Sequence, residues 1–372
     1  MKTRYILFVE DEKLQREMFD DALRRWNDRN AEEGRRFEAW IAETREEAES
    51  ALEKGRFDAA MFDLRVRSSG DRGAASPAGN ALARRALHEY GMPIAVMSAD
   101  TSVLDEDLRN IDQLGSFDKN REPDDQGDAY DHAMLWFGSM WTMMCVLSAA
   151  RHQIGKSTAD IFTRRLWPRW SDIAALNGGD GASVEAIVTR QYMTHIADHL
   201  GNEEAGGATW HPFENYISPA LLEHRSQTGD IFRLDDELWI VLTPQCDMAT
   251  KKVDTVVLAR CVPGIKKWQQ NVEAIRAAGT DEERKAPGEF LRKYVNQNIS
   301  PSQHFLPALP GDAEPLLVQF GNLRTLPLSE LNDQRLEDRV ASIASPFLAN
   351  LVQRFGGYMS RMGQPNIDVT RF

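Results

Sequence analysis

Acidic, hydroxyl and amino side chains follow successive apolar segments in the first third of the chain. Glu10 and Asp11 come directly after the apolar run RYILFV, and Asp63 comes directly after AAMF. Ser98 follows the run PIAVM, and Lys119 follows the short run SFD. Crowded carboxylates repel one another, and a hard divalent cation with oxygen ligands relieves that repulsion. These side chains therefore predict a Mg2+ site beside a carboxylate nucleophile.

Each of these side chains has a role in phosphoryl chemistry. An aspartate carboxylate is a nucleophile, so Asp63 is the predicted acceptor of a phosphoryl group as an aspartyl-phosphate. The Lys119 ammonium would neutralise one phosphoryl oxygen as a point charge, and the Ser98 hydroxyl would donate a hydrogen bond to another. Mg2+ fits because it needs few protein ligands and completes its shell with water and phosphate oxygens.

Strand and helix patterns alternate strictly through the first 120 residues. The predicted strands are 4–9, 37–41, 59–62, 93–97 and 116–118, and the predicted helices are 13–26, one opened by Thr44-x-x-Glu47, 80–90 and 103–114. Such alternation predicts an α/β fold with a doubly wound, five-stranded parallel sheet of the flavodoxin type. Ligands sit beyond the carboxyl ends of the strands in such sheets, which is where the acids, the hydroxyl and the lysine fall.

About residues 1–122 resemble the receiver domains of two-component response regulators. The resemblance is carried by FVEDE for the acid pair, FDAAMFDL for the phosphoacceptor strand, VMSA for the hydroxyl and FDK for the lysine. It implies that Glu10, Asp11 and Asp63 bind Mg2+ together with the main-chain carbonyl of Arg65. It also implies that Asp63 takes its phosphoryl group from a sensor histidine kinase or a phosphotransfer protein, in a transfer that the receiver itself catalyses.

The chain departs from the usual receiver pattern at three places. Asn120 stands where the family usually has proline after the lysine, and Ser116 stands where its aromatic switch residue usually sits, with Phe117 adjacent. The loop from Leu64 to Ala78 is longer than usual and carries three arginines. We therefore expect an altered switch surface around a conventional phosphorylation site.

The composition changes after Lys119, which predicts three domains: the receiver (1–122), a helical connector or dimerisation region (123–205) and a C-terminal α+β effector or interaction domain (206–372). The uncharged run 133–150 reaches the length of a membrane span. Its glycine, hydroxyl, methionine and tryptophan content instead favours one buried or dimerising helix, which leaves a homodimer through the connector open.

Four histidines lie in or beside the predicted connector helices: His132, His152, His195 and His199. They are interpreted either as ordinary helical residues or as part of a phosphotransfer or dimerisation helix pair. The last two are spaced i, i+4 on one helix face, which allows a metal pair, although no third ligand is evident.

The C-terminal region is less readable. Its predicted strands are 230–234, 238–243 and 255–261, with helices near 266–278 and 335–362. The Gly-Asp-Ile start weakly resembles the small SH3-like barrels of the MazF/PemK toxin family, whose Arg-Pro motif is missing here. A nucleophilic site from Cys246, Asp247, His304 and His211 is one hypothesis; a buried structural cysteine beside a turn-capping aspartate is the alternative. Catalysis by this region therefore stays uncertain.

Composition limits the remaining function classes. The net charge of −13 disfavours non-specific binding to nucleic acid, and no DNA-binding motif, GxxxxGK[ST], GxGxxG or HExxH occurs. Three widely spaced cysteines without CxxC fit a reducing cytoplasm. The sequence thus predicts a cytoplasmic response regulator, not a membrane protein. The alternatives are a receiver-gated, toxin-like nuclease or hydrolase of a stress or phage-defence system, and a phosphate sink without output chemistry.

Overall fold

The chain forms two compact units, Met1–Ala197 and Asp198–Phe372. The computed structural model describes residues 2–68, 78–111, 114–175, 181–201, 209–362, 368 and 370, without the side chains of residues 101 and 199–201.

A five-stranded parallel sheet forms the centre of the first unit. Its strands are β1 (Lys2–Val9), β2 (Arg35–Ala42), β3 (Ala59–Asp63), β4 (Ile94–Ser98) and β5 (Gly115–Asp118). They lie in the order β2-β1-β3-β4-β5, which is the flavodoxin-like, doubly wound order. The predicted α/β fold class is confirmed. This order places β1 beside β3, so the acids that follow β1 lie next to Asp63.

Helices cover both faces of this sheet. They are α1 (Lys13–Arg29), α2 (Arg45–Lys54), α3 (Ala78–His88), α4 (Glu106–Arg109), α5 (Ala129–Ser139) and α6 (Trp141–Ile161). One apolar cluster joins the sheet to α1, α5 and the start of α6, and a second joins it to α2, α3 and α4. Helix α5 begins after residue 122, the predicted end of the receiver, yet Tyr130 and Phe137 are fully buried in the first cluster.

Side-chain caps set the starts of two of these helices. Thr44 accepts a hydrogen bond from the backbone N–H of Glu47 at 3.3 Å, as the capping pattern predicts. Asp128 caps α5 by accepting from the N–H groups of Tyr130 and Asp131, and the Asp131 carboxylate accepts from the Asp128 N–H in return. The polar segment before α5 thus fixes where that helix begins.

The uncharged run 133–150 is two helices, and the prediction of one continuous helix there is wrong. The chain turns at Met140, where the Ser139 hydroxyl donates to the Trp136 carbonyl. Among the described helices, none alone has the length and apolarity to cross a membrane. The pair Ala129–Ser139 and Trp141–Ala175 meets that test only together, across a 55° bend.

The segment after β4 is also less helical than predicted. A 3-10 turn at Thr101–Val103 and the four-residue α4 replace a helix over 103–114, of which residues 112 and 113 lie outside the described part. The Asn80 side chain donates to the Val103 carbonyl at 2.9 Å and accepts from the Asp105 N–H at 3.3 Å. These bonds hold the segment as a loop, because they tie its backbone to α3.

The first unit continues as helix beyond α6. A π-helical turn (Phe162–Leu166) and a 3-10 turn (Trp167–Arg169) lead into α7 (Trp170–Ala175), and α8 (Gly181–Gly201) follows. Apolar side chains of these helices form a small cluster of their own around Ile161, Leu166 and Ile173. Trp167 and Pro168 lie in the 3-10 turn, and residues 176–180, between α7 and α8, lie outside the described part.

A seven-stranded sheet forms the core of the second unit. Its strands are β6 (Tyr216–Ile217), β7 (Asp230–Leu234), β8 (Glu237–Val241), β9 (Thr255–Pro263), β10 (Gln303–Leu306), β11 (Leu316–Pro327) and β12 (Arg339–Ile343). All pairings are antiparallel, in the order β10-β11-β9-β8-β7-β12-β6. Among the described residues β10 and β6 are the two edges, so the small SH3-like barrel is not shown.

Local sequence explains the tight turn and one wrong prediction in this sheet. Asp235 and Asp236 have φ of 52° and 63°, the left-handed conformation that a two-residue hairpin needs. The predicted helix 335–362 is wrong in its first part, because Arg339–Ile343 is strand β12. The final helix begins only at Ser345, with Pro346 in its first turn, a position that proline favours.

The remaining helices of the second unit surround the sheet. They are α9 (Gln245–Ala249), α10 (Trp268–Ala277), α11 (Asp281–Val295), α12 (Leu328–Gln334) and α13 (Ser345–Met359). The predicted helix near 266–278 corresponds to α10, and α11 extends the same insertion. Phe355 and Tyr358 of α13 pack against Phe320 of the sheet, so the last helix covers part of the unit's core.

Candidate functional site

Three carboxylates lie together at the carboxyl edge of the parallel sheet. Glu10 is fully buried, Asp63 is 8% exposed, and the Asp11 side chain is 9% exposed. One oxygen atom from each lies within 4.8 Å of the others. Within the described part of the chain this is the one group of acids, histidines or cysteines with metal-ligand spacing. The strands thus end side by side, as the sequence predicts, and bring the three carboxylates together.

Lys119 supplies a buried positive charge between two of these acids. Its Nζ lies 2.6 Å from Oε2 of Glu10 and 3.1 Å from Oδ2 of Asp63, and its side chain is 8% exposed. The backbone N–H of Lys119 donates to the Ser98 carbonyl at 3.0 Å. The lysine is therefore held at both its backbone and its ammonium.

The site holds more negative charge than one lysine balances. Burial raises the pKa of Glu10 to about 7; the Asp63 charge adds to this rise and Lys119 opposes it. Burial likewise raises the pKa of Asp63, against the lowering effect of Lys119. Burial lowers the pKa of Lys119, but the charges of Glu10 and Asp63 outweigh it and leave that pKa raised. A further cation at this edge would favour ionised carboxylates.

The Ser98 hydroxyl is engaged with its own loop. It donates to the Asp100 carbonyl at 2.9 Å and accepts from the Asp100 N–H at 3.1 Å, and the residue is 3% exposed. A hydroxyl that donates to the loop has no proton left for a phosphoryl oxygen. If the Ser98 hydroxyl donated to a phosphoryl oxygen instead, it would release the Asp100 carbonyl.

The unusual residues near Lys119 have definite places. The Asn120 side chain donates to the Ala99 carbonyl at 3.1 Å, which links the segments that follow β4 and β5. Side chains alternate along β5: Ser116 is exposed, whereas Phe117 packs edge-on against Trp136 of α5 at 6.1 Å. Phe117 thus faces the α5 side of the sheet, so the adjacent aromatic does not replace the one missing at Ser116.

Sequence reasoning missed two arginines that contact the acid pair. Arg16 donates through Nη1 to the carbonyls of Glu10 at 3.1 Å and Asp11 at 2.9 Å. Nε of Arg67 lies 2.7 Å from Oδ2 of Asp11. A cation near a helix N-terminus opposes the helix dipole. Both Lys13 and Arg16 have this position in α1, so the sequence alone does not single out Arg16.

Asp63 also accepts a bond from the loop that follows it. The backbone N–H of Arg65 donates to its Oδ1 at 3.3 Å. The early part of the long loop, up to residue 68, therefore turns back toward the acids. Residues 69–77 of that loop, including the third arginine, lie outside the described part.

The four C-terminal candidates lie on separate elements, apart from the adjacent Cys246 and Asp247. Cys246 is exposed on α9, with Sγ 3.7 Å from Oδ1 of Asp247. His211 caps a 3-10 turn by accepting from the Phe213 N–H at 3.1 Å. His304 is 3% exposed on β10, beside Val318 of β11.

The sheet itself keeps His304 away from Cys246. Strands β11 and β9 lie between β10 and β8, so three ladder steps separate His304 from β8, about 14 Å measured along the sheet at the usual strand spacing. His304 is level with Leu238 at the start of β8, whereas Cys246 follows its far end. The Cys–His–Asp hypothesis thus lacks the proximity it needs, and the nuclease and phosphate-sink alternatives stay predictions.

Burial controls the protonation of His304. Burial lowers its pKa from 6.5 to about 3, and the Arg354 charge adds to this. As the pH falls, the unfolded chain protonates His304 near pH 6.5, whereas the folded protein does so only near pH 3. The free energy of unfolding therefore decreases as the pH falls from 6.5 toward 3. We expect His304→Leu to flatten the pH dependence of unfolding between these values, as measured by urea denaturation. His224→Leu, at an exposed histidine, is the control. If the free energy of unfolding depended on pH equally in wild type and in His304→Leu, the role of His304 would be contradicted.

The connector histidines show no metal site among the described side chains. His132 pairs with Asp124 at 2.9 Å, and His152 is exposed on α6. Nδ1 of His195 is buried without a hydrogen-bond partner. The side chain of His199 lies outside the described part, so the predicted pair stays a prediction.

Solved structures of receiver domains resemble the N-terminal part of the chain. The response regulator PhyR from Brucella abortus is 17% identical, with 41% of this chain and 54% of that chain covered and a TM-score of 0.27. This chain therefore spans about half the length of PhyR. No protein-family model and no curated protein matches the chain.

Two other receiver structures hold a metal ion. The receiver of a sensor histidine kinase from Pseudomonas aeruginosa, with magnesium in its active-site cleft, is 21% identical (32% and 88% covered, TM-score 0.23). A response regulator from Burkholderia pseudomallei, with a phosphorylated aspartic acid, calcium and citrate, is 12% identical (52% and 97% covered, TM-score 0.26). The fold of the first unit is assigned from its own strand order, which is that of the receiver fold.

Proposed function

We propose that this protein is a response regulator whose first unit accepts a phosphoryl group on Asp63 and controls the second unit. The observation that carries the proposal is the buried Lys119 ammonium between Glu10 and Asp63, at 2.6 and 3.1 Å, beside the Asp11 carboxylate. Structural ion pairs seldom bury three neighbouring acids, two of them on one lysine, at the ligand-binding edge of a doubly wound sheet. A phosphoryl-transfer site uses all of these groups.

The donor set suits Mg2+. Carboxylate oxygens of Glu10, Asp11 and Asp63 lie within 4.8 Å of one another, and hard oxygen ligands are those that Mg2+ prefers. These three residues would hold the ion, and the main-chain carbonyl of Arg65 is the proposed fourth ligand. When bound, the ion supplies positive charge that balances the acids and the phosphoryl oxygens.

The chain's own residues perform the transfer. An Asp63 carboxylate oxygen attacks phosphorus; the new O–P bond forms as the bond from phosphorus to the donor atom breaks, and the donor keeps that electron pair. Lys119 stays against Asp63 and neutralises a phosphoryl oxygen. Ser98 turns from the Asp100 carbonyl to donate to another phosphoryl oxygen. The phosphoryl donor would be a sensor histidine kinase or a phosphotransfer protein, in the cytoplasm.

Release of Asp100 is the proposed start of the response. The loop that Ser98 holds leads into the segment that Asn80 ties to α3 through Val103 and Asp105. Loss of the hydrogen bond from Ser98 to Asp100 would shift this loop between two arrangements. A local change of charge can act in this way on an element that has two stable conformations.

Intact-mass spectrometry tests the proposal. After incubation with acetyl phosphate and Mg2+, we expect a species heavier by about 80 Da, one phosphoryl group. It should be absent after chelation of the metal and in Asp63→Asn. Asp58→Asn is the control, because Asp58 lies at the opposite end of β3 and pairs with Arg4. Failure of the wild-type protein to gain this mass would overturn the proposed function.

A further inference from the structure

Arg67, in the loop after β3, forms an ion pair with Asp11, one of the three carboxylates of the site. Its Nε lies 2.7 Å from Oδ2 of Asp11, whose side chain is 9% exposed, whereas the Arg67 side chain is 59% exposed. From this contact we infer that Arg67 is the resting counter-ion of Asp11, and that its guanidinium competes with a divalent cation for the negative charge of this carboxylate. The inference rests on the proposed function, because it concerns the same site.

The backbone of Arg67 is anchored, so only its side chain needs to move. The Arg67 carbonyl accepts a hydrogen bond from the Arg45 N–H at 3.0 Å, at the start of α2. The preceding Val66 is fully buried in the apolar cluster beneath α2 and α3. An anchored backbone with an exposed guanidinium can release Asp11 into water without unfolding the loop.

The other cations of the site are committed elsewhere. Lys119 faces Glu10 and Asp63. Arg16 reaches the acid pair only through main-chain carbonyls, and its second guanidinium nitrogen pairs with Glu43 at 3.1 Å. Within the described residues, Arg67 therefore supplies the ion pair of the Asp11 carboxylate.

Competition for Asp11 has a definite consequence for metal binding. A divalent cation bound to the Asp11 carboxylate would repel the Arg67 guanidinium beside it, because both are positively charged, so metal binding weakens the Arg67 pair. The Arg67 side chain is mostly exposed, so water screens much of its attraction to Asp11. We therefore expect Arg67→Gln to tighten Mg2+ binding only about two- to fivefold. The arginine thus sets the Mg2+ concentration at which the site becomes competent for phosphorylation.

Isothermal titration of the full chain with MgCl2, without any phosphodonor, tests the inference. The control is Arg45→Gln, which removes the same charge from the neighbouring residue; Arg45 pairs with Glu49 and not with the site. We expect tighter binding in Arg67→Gln and wild-type binding in Arg45→Gln, with melting temperatures without metal confirming that both variants fold.

The outcomes separate this inference from the proposed function. Unchanged or weaker binding in Arg67→Gln would overturn the role of Arg67 while leaving the metal site in place. Equal tightening in both variants would also overturn it, since general electrostatics would then be the cause. Absence of Mg2+ binding in wild type and both variants would contradict the metal site itself.

Discussion

A Phe137→Ala variant is expected to lower the free energy of unfolding of the first unit by about 3–5 kcal/mol, the usual cost of removing a buried aromatic ring. Phe137 lies on α5, is fully buried, and has its ring 6.4 Å from that of Phe37 on β2. Hydrogen exchange of β1 peptides measures this cost, because a central strand exchanges only when the unit opens.

The exposed Leu135 of the same helix provides the control. Leu135 is 38% exposed, and Leu135→Ala should cost less than about 1 kcal/mol. Equal effects of the two substitutions would show that α5 does not belong to the core of the sheet. If α5 does belong, a chain ending at residue 122 would expose the buried face of β1 and α1 and would fail to form the unit.

An Arg339→Ala variant is expected to destabilise the second unit by about 3–5 kcal/mol, because it leaves a buried carboxylate without its cation. Asp230 is fully buried and lies 2.9 Å from Nη1 of Arg339, whose side chain is 7% exposed. The Ser342 hydroxyl and the Gln227 N–H also donate to Asp230. Asp230 of the Gly-Asp-Ile start is thus a structural residue of this sheet.

A surface ion pair of the same unit is the control for the effect of burial on the Arg339–Asp230 pair. Arg324 pairs with Asp235 at 2.8 Å, with side chains 33% and 64% exposed. Arg324→Ala should cost at most about 1 kcal/mol. Hydrogen exchange of β7 and β8 peptides compares the two variants; similar protection in both would contradict a dominant role for the buried pair.

The site of the first unit could be predicted because its residues follow the ends of strands. Once the strand–helix alternation fixes a parallel sheet, Glu10, Asp63 and Lys119 must reach the same edge, whatever the details of packing. Arg67 could not be predicted, because its contact with Asp11 depends on how an irregular loop turns back, and a loop has no period.

The second unit shows the opposite case. Strand β7 and the hairpin at Asp235 and Asp236 follow from local sequence, so both were predictable. The distance between Cys246 and His304 depends on which strands lie between them, and that order is set by pairings far apart in sequence. Strand β12 was hidden for a related reason: its short apolar stretch also fits a helix, and only pairing with β7 and β6 makes it a strand.

Chemical mapping of the phosphorylated residue tests the central claim most directly. Borohydride reduces an acyl phosphate to an alcohol, so aspartyl-phosphate becomes homoserine, whereas phosphorylated serine or histidine does not. After treatment with acetyl phosphate, Mg2+ and borohydride, peptide sequencing by mass spectrometry should find homoserine at position 63. Homoserine at another aspartate, or at none while the intact protein carries phosphate, would contradict the assignment of Asp63.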